Sequence, residues 1–237
     1  MTAPNPIICA LDTHDVTVAT DLATGLKEHI GAIKLGLEFF TANGPQGIRA
    51  VREAGMPVFL DLKFHDIPNT VAGAVRAAVQ MDVFMLTIHA GGGTAMMQAA
   101  CQAAKETADK LNKPAPLVVA VTVLTSMNQQ DVQALGVDSS VSDHVVRLAS
   151  LAQSAGVDGV VCSPLEIDII REKLGQSLKL VVPGIRPAGS AANDQQRVLT
   201  PRDALLKGAD YLVIGRPITQ HADPSLAARC IAQELYA

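Results

Sequence analysis

Apolar residues recur along the chain in short, nearly unbroken runs, at 6–11, 32–36, 58–63, 83–88, 117–124, 159–162, 178–182 and 211–214. Each run is too short for a core helix, and its few polar members do not alternate strictly with apolar ones. That is the pattern of parallel strands covered on both faces. Between the runs, apolar positions take helical spacing, as in Val16, Val18, Ala19, Leu22, Ala23 and Leu26. Further helices are predicted around 46–54, 70–80, 94–111, 142–154, 201–207 and 225–235, and one more opens at Pro164, a residue suited to a first helical turn. Eight strands alternating with eight helices in 237 residues predict a single-domain α/β protein, 1–237, folded as a closed (β/α)8 TIM barrel. An open doubly wound sheet is the competitor, but the first strand runs into Asp12-Thr13-His14-Asp15, without the glycines of a nucleotide fingerprint. No linker, repeat or low-complexity segment divides the chain.

A barrel carries its chemistry at the carboxyl ends of its strands. The residues there are Asp12, Lys34, Asp61, Lys63, Asp66, His89, Thr125, Ser126, Arg186, Gly215 and Arg216. The densest stretch is Asp61-Leu62-Lys63-Phe64-His65-Asp66-Ile67-Pro68-Asn69-Thr70. Asp61 and Lys63 are two apart on a strand and point the same way. Asp66 follows just past the strand, and Asn69 or Thr70 is placed to cap the next helix. By itself, Asp-x-Lys also describes an ordinary salt-bridged strand end. Lys34 changes the weighing, because a lysine inside a short buried strand costs several kcal/mol unless paired. It is expected to meet Asp61 or Asp12. A row Lys34, Asp61, Lys63, Asp66 suits fixed charge and proton handling better than a metal site, where two ammonium groups would oppose the cation.

The end of the eighth strand forms a second candidate. Gly215 allows close backbone approach, Pro217 opens a helical turn, and Arg216 is a fork-shaped cation matched to phosphate oxygens. Phosphate sites in barrels often use the loops after strands seven and eight, which makes Arg186 its partner. Arg216 as a plain surface residue is the alternative. His89, before three glycines, reads as a hydrogen-bonded support for the charged row or as a catalytic group, and His65 as a loop filler.

Composition narrows the classes further. A formal charge of −4, two Tyr, five Phe and no Trp give neither a basic field nor a stacking surface for nucleic acid. No apolar run reaches membrane-spanning length. Cys9, Cys101, Cys162 and Cys230 form no C-x-x-C pair, and the first residues lack a signal-peptide pattern, so a reduced, cytoplasmic setting is expected.

The stretch Asp61-x-Lys63-x-x-Asp66-Ile67-Pro68-Asn69-Thr70, with Lys34 in the preceding strand, resembles the orotidine 5′-phosphate decarboxylase family. So do Leu11-Asp12, Ile33-Lys34-Leu35-Gly36, Leu124-Thr125-Ser126-Met127, Pro183-Gly184-Ile185-Arg186-Pro187 and Ile214-Gly215-Arg216-Pro217-Ile218, along essentially the whole chain. The resemblance implies loss of CO2 from orotidine 5′-phosphate to give uridine 5′-phosphate, the last step of pyrimidine nucleotide synthesis, without metal or cofactor. It implies Lys63 as proton donor, Asp61 facing the departing carboxylate, and Lys34 and Asp12 on the ribose. Thr125 and Ser126 would contact the pyrimidine, while Arg186, Gln195, Gly215 and Arg216 would hold the phosphate. Asp66, Ile67 and Thr70 would reach into a neighbouring subunit's site, making a homodimer. The rival reading on the same barrel is a metal-dependent sugar-phosphate decarboxylase or aldolase, which carries an acid where this chain has Lys34. A phosphoribosyl-ligand sensor without chemistry is the reading from another class.

Overall fold

The structure is a computed structural model that describes residues 5–187 and 199–235. Its eight strands are β1 (Ile7–Leu11), β2 (Ala32–Gly36), β3 (Val58–Phe64), β4 (Met85–His89), β5 (Leu117–Val121), β6 (Gly159–Val161), β7 (Lys179–Pro183) and β8 (Tyr211–Ile214). All neighbouring pairs are parallel, and β1 pairs with β8, so the sheet closes. Helices α1 (Val16–Leu26), α2 (Leu37–Glu53), α3 (Pro68–Val79), α4 (Gly93–Lys110), α5 (Gln129–Ala134), α6 (Val141–Ala155), α7 (Ile167–Leu174), α8 (Pro201–Leu206), α9 (Arg216–Thr219) and α10 (Pro224–Glu234) connect them. The expected barrel is the observed one.

Strand residues alternate between two cores. Ile8, Ala10, Ala32, Phe59, Met85, Val119, Val181 and Val213 fill the barrel interior. Their neighbours Ile7, Cys9, Ile33, Leu35, Leu60, Leu86 and Val160 pack outward under the helices. This parity positions the site. Stepping two residues along the inward face leads from Ala32 to Lys34, from Phe59 to Asp61, from Met85 to Thr87, and from Val213 to Gly215. The floor of the barrel is apolar, and polar groups begin one layer higher.

Several boundaries differ from expectation for local reasons. The second helix begins at Leu37 rather than near 46, and it kinks at Gly44 (φ 58°), just before Pro45. Those two residues break the helical pattern in sequence but only bend the helix. α3 starts at Pro68 with Ile67 as its N-cap and no side-chain cap, so neither Asn69 nor Thr70 serves that role. Proline at the first position forfeits a backbone N–H that would be unpaired there in any case. β5 ends at Val121, short of 124, and the short α5, capped reciprocally by Asn128 and Asp131, was not anticipated.

Candidate active site

The centre of the site is a chain of ion pairs. Lys34 Nζ lies 3.3 Å from Asp61 Oδ2, and Lys63 Nζ donates to Asp61 Oδ1 at 2.9 Å. The Lys34 and Asp61 side chains are only 13% and 14% exposed, and Lys63 is 33% exposed. The pair is therefore shielded well beyond an ordinary surface salt bridge. Lys34 pairs with Asp61 rather than with Asp12, settling the choice left open by the sequence. Burial pushes the Asp61 carboxyl up, but the Lys34 and Lys63 ammonium groups, with hydrogen bonds from Lys63 and Thr87, hold it below the usual carboxylate range.

The Asp61–Lys63 contact does not come from simple strand alternation. From Leu60 to Phe64 β3 advances four residues while β4 advances two, Leu86 to Ile88. Within that bulge Lys63 has φ 53°, the left-handed region that non-glycine residues rarely occupy. Such a conformation costs about 1–3 kcal/mol and persists only where surrounding contacts impose it. Thr87 supplies them. Its hydroxyl accepts from the Lys63 backbone N–H (2.8 Å) and donates to Asp61 Oδ1 (3.0 Å), and the residue is fully buried. In the sequence Thr87 is only one more member of an apolar run, and nothing in the run itself marks it as a functional residue. The available signal was its place on the inward face, two residues beyond Met85.

Asp66 is placed differently from the other three. It is exposed, and its carboxylate accepts from its neighbour's Ile67 N–H at 2.6 Å. Ile67 and Thr70 are exposed on the same loop and helix start, Ile67 at 67% despite its apolar side chain. Asp12 is exposed directly after β1. His89 ends β4, where its Nδ1 accepts from the Gly91 N–H (3.4 Å) and its ring stacks on His65. Burial first, then His65 and Lys63, hold the His89 pKa below its usual value. Cys9, on the outward face of β1, has its thiol pushed up to about 12 by burial and then by Asp12, which removes it as a nucleophile.

Beside this row opens a cleft of about 950 Å³ whose walls include Thr125, Ser126, Pro183, Gly184 and Arg216. Thr125 and Ser126 are exposed on the turn after β5. Gly215 is the N-cap of α9, whose first residue is Arg216. Arg186 is 8% exposed, three residues beyond β7, and its N–H donates to the Leu199 carbonyl. The Lys34–Asp61–Lys63 chain does not line this cleft, although both belong to the carboxyl ends of the strands. Gln195 lies outside the described residues. Among the described residues, no cluster of three or more His, Cys, Asp or Glu side chains is arranged to hold a metal ion. Among them, too, no helix is long and apolar enough to cross a membrane.

A closed parallel barrel with a shielded lysine–carboxylate–lysine chain at its carboxyl rim places fixed charge where barrel enzymes carry their chemistry. Residues 5–231 match the Orotidine 5′-phosphate decarboxylase / HUMPS family. An orotidine 5′-phosphate decarboxylase of Moorella thermoacetica is 54% identical over 236 residues, covering 99% of this chain and 94% of that protein. One of Paramagnetospirillum magneticum is 54% identical over 231 residues, 98% of each chain. The crystal structure of orotidine 5′-phosphate decarboxylase from Lactobacillus acidophilus superposes with a TM-score of 0.86 at 33% identity, covering 98% of this chain and all of that one. The chain belongs to the orotidine 5′-phosphate decarboxylase family.

Proposed function

We propose that the protein removes CO2 from orotidine 5′-phosphate to give uridine 5′-phosphate, without metal or cofactor, as the closing step of pyrimidine nucleotide synthesis. The observation that carries this reading is the Lys34–Asp61–Lys63 chain. When the bond between the pyrimidine ring and the carboxylate breaks, CO2 leaves and the electron pair stays on the ring carbon. That carbanion needs a fixed cation and then a proton, and the Lys63 ammonium supplies both. Positive charge already in place before the bond breaks avoids reorganisation during the reaction. At 2.9 Å and an effective dielectric near 20, one such charge pair has a gross attraction of roughly 6 kcal/mol. Asp61 holds the amine in place, and it also stands against the departing carboxylate. We rank that ground-state effect below stabilisation of the carbanion.

Thr125 and Ser126 are assigned to the pyrimidine, Asp12 and Lys34 to the ribose hydroxyls, and Arg186, Gly215, Arg216 and Gln195 to the phosphate. Holding the phosphate supplies binding energy remote from the reacting carbon. Asp66, Ile67 and Thr70 are assigned to the site of a second subunit in a homodimer. The exposure of Ile67 supports this, since an apolar side chain at a site rim is suited to cover by a partner. A cytoplasmic location and one domain spanning the chain complete the reading.

Orotidine 5′-phosphate is added to the purified protein with and without EDTA, and loss of pyrimidine absorbance is followed. Turnover that survives chelation is expected, because a lysine at position 34 opposes a bound cation. Lys63→Ala should abolish turnover while uridine 5′-phosphate still binds. Loss of activity with chelator would favour the metal-dependent rival, and appreciable turnover by Lys63→Ala would refute the role given to that amine.

A further inference from the structure

β4 grips the distorted end of β3 at two points. Thr87 and His89 are two residues apart on this strand and share its inward face with Met85. Thr87 binds the backbone N–H of Lys63. His89 meets the next outward turn of the same segment, with its ring stacked on that of His65, centroids 5.0 Å apart and planes inclined by 18°. The His89 ring is itself oriented by the hydrogen bond that its Nδ1 accepts from Gly91, which places the proton of the neutral ring on Nε2. His65 is exposed on its outer side and faces the backbone of Gly91 and Gly92 on the other. A Cβ at Gly91 would sit 3.6 Å from His65 Cε1, and one at Gly92 would sit 3.2 Å from His65 Cδ2 and 2.4 Å from Met96 Cε. The second of these could not be accommodated without displacing Met96. At Gly91 an added Cβ would thus be in ordinary contact with the imidazole, and at Gly92 in tight contact with it.

We infer that His65 and His89 act as a pair of positioning residues, clamping the β3–α3 segment so that Lys63 keeps its left-handed backbone and its amine stays aimed at the reacting carbon. Neither imidazole touches the lysine amine in the contacts described, so the action runs through the backbone: the strained residue is pinned on one side by Thr87 and on the other by the stacked ring two residues later. A strained residue held from one side alone can relax by turning its peptide. Held from both, it would have to give up the stack as well as the hydrogen bond to turn. The inference rests on the decarboxylase reading for its kinetic consequence, but not for the clamp itself.

The test compares His65→Ala, His65→Phe and His89→Phe with the unaltered protein. His65→Ala removes the stacked ring and should lower kcat for orotidine 5′-phosphate by tenfold to a hundredfold, the scale set by about 1 Å of misplacement. KM should change by less than threefold. His65→Phe keeps a flat ring of similar reach and should recover most of kcat, which loss of a structural side chain alone would not predict. His89→Phe keeps the stack but loses the bond from Gly91, and should fall between the two. A second readout is independent of turnover: the NMR signal of the Lys63 side-chain carbon next to the amine, identified by its loss in Lys63→Arg. His65→Ala should shift that signal, and His65→Phe should restore it. If the unaltered protein turns over the substrate and His65→Ala matches its kcat within twofold, the clamp is refuted. It is refuted equally if the Lys63 signal does not move, and that holds even if the unaltered protein has no decarboxylase activity.

Discussion

Thr87→Val is the sharpest test of how this site is held, because it removes one hydroxyl and almost no volume. The hydroxyl is fully buried and serves two partners, accepting from Lys63 N–H at 2.8 Å and donating to Asp61 Oδ1 at 3.0 Å. Losing the first leaves a backbone donor without its acceptor, at about 1–3 kcal/mol; losing the second removes a hydrogen bond to a charged group, at about 1.5–3 kcal/mol. Relaxation of the strained Lys63 backbone offsets part of the first loss, and the sum should settle near about 3 kcal/mol. For a chain of this length that corresponds to a fall in Tm of about 6–12 °C. Without the clamp, Lys63 is also free to leave φ 53°, a relaxation that displaces its amine. A loss of kcat of roughly tenfold to a hundredfold should accompany the loss of stability. Thermal melts and steady-state decarboxylation are measured on Thr87→Val and on Thr87→Ser, which keeps the hydroxyl. The serine variant should stay within about 1 kcal/mol of the unaltered protein, the methyl being its only loss. If Thr87→Val melts normally and turns over within twofold of the unaltered enzyme, the claim that Thr87 enforces the Lys63 conformation is wrong.

Asp61→Asn keeps shape and removes charge, leaving the Lys34 and Lys63 ammonium groups without the carboxylate between them. Breaking a shielded pair from one side costs about 3–5 kcal/mol, toward the low end here because of Lys63's exposure, and urea titration should read about 3 kcal/mol. A double variant, Asp61→Asn with Lys34→Met, should recover part of that loss, and failure to do so would argue that the repulsion is solvated away. Stability should also fall as pH drops below neutrality. His89 is held below its usual pKa by burial, His65 and Lys63, so between its folded pKa and about 6.5 the unfolded chain binds the extra proton. His144, held down by burial and then Arg147, contributes in the same direction. His89→Phe should therefore flatten the slope of unfolding free energy between pH 7.5 and 5.5, and an unchanged slope would refute the assignment. Asp61 adds nothing in that window, since its stabilisation is lost only as pH falls below the ordinary carboxylate range.

The barrel was legible because each of its strands is a run the chain cannot expose, and the inward-facing lysine at 34 was legible for the opposite reason, as a charge that burial forbids without a partner. Thr87 was not, because a threonine costs little inside an apolar run and reads as a β-branched filler. Only the register that places it beside Asp61 shows what its hydroxyl does. The Lys63 backbone was equally hidden: Asp-x-Lys predicts two side chains on one face by alternation, and the structure reaches that outcome through a bulge and a positive φ. The start of α2 was missed because Gly44-Pro45 punctuates the sequence as a turn would, while the helix crosses it with a kink. Asp66 was placed in the charged row from its spacing, whereas within one chain its carboxylate turns back onto its own loop.

The two ends of the barrel divide stability from chemistry. At the amino-terminal end, charges are consumed by pairing. Asp210 accepts from Arg171, Lys179 and the Leu180 N–H, Asp158 accepts from the Val118 N–H, and Asp82 is shared by Arg52 and Lys113. These groups tie strand entrances to neighbouring helices and loops. At the carboxyl end the cations Lys34, Lys63, Arg186 and Arg216 are gathered with Asp12, Asp61 and Glu166, while Asp66 is turned aside on its loop. Glu166, which lines the cleft with Arg216, keeps the rim as a whole from being net positive, so the cations are placed singly rather than as one basic field. On the proposed reading, the carboxylate and the phosphate of orotidine 5′-phosphate would each meet their own cations there, Lys34 and Lys63 for one and Arg186 and Arg216 for the other. The cost is two like-charged amines drawn to a single carboxylate, 3.3 and 2.9 Å from its two oxygens. Asp61 and the strained lysine beside it hold that arrangement without a ligand, so under the proposed mechanism no rearrangement of the protein would be needed when the carbanion forms.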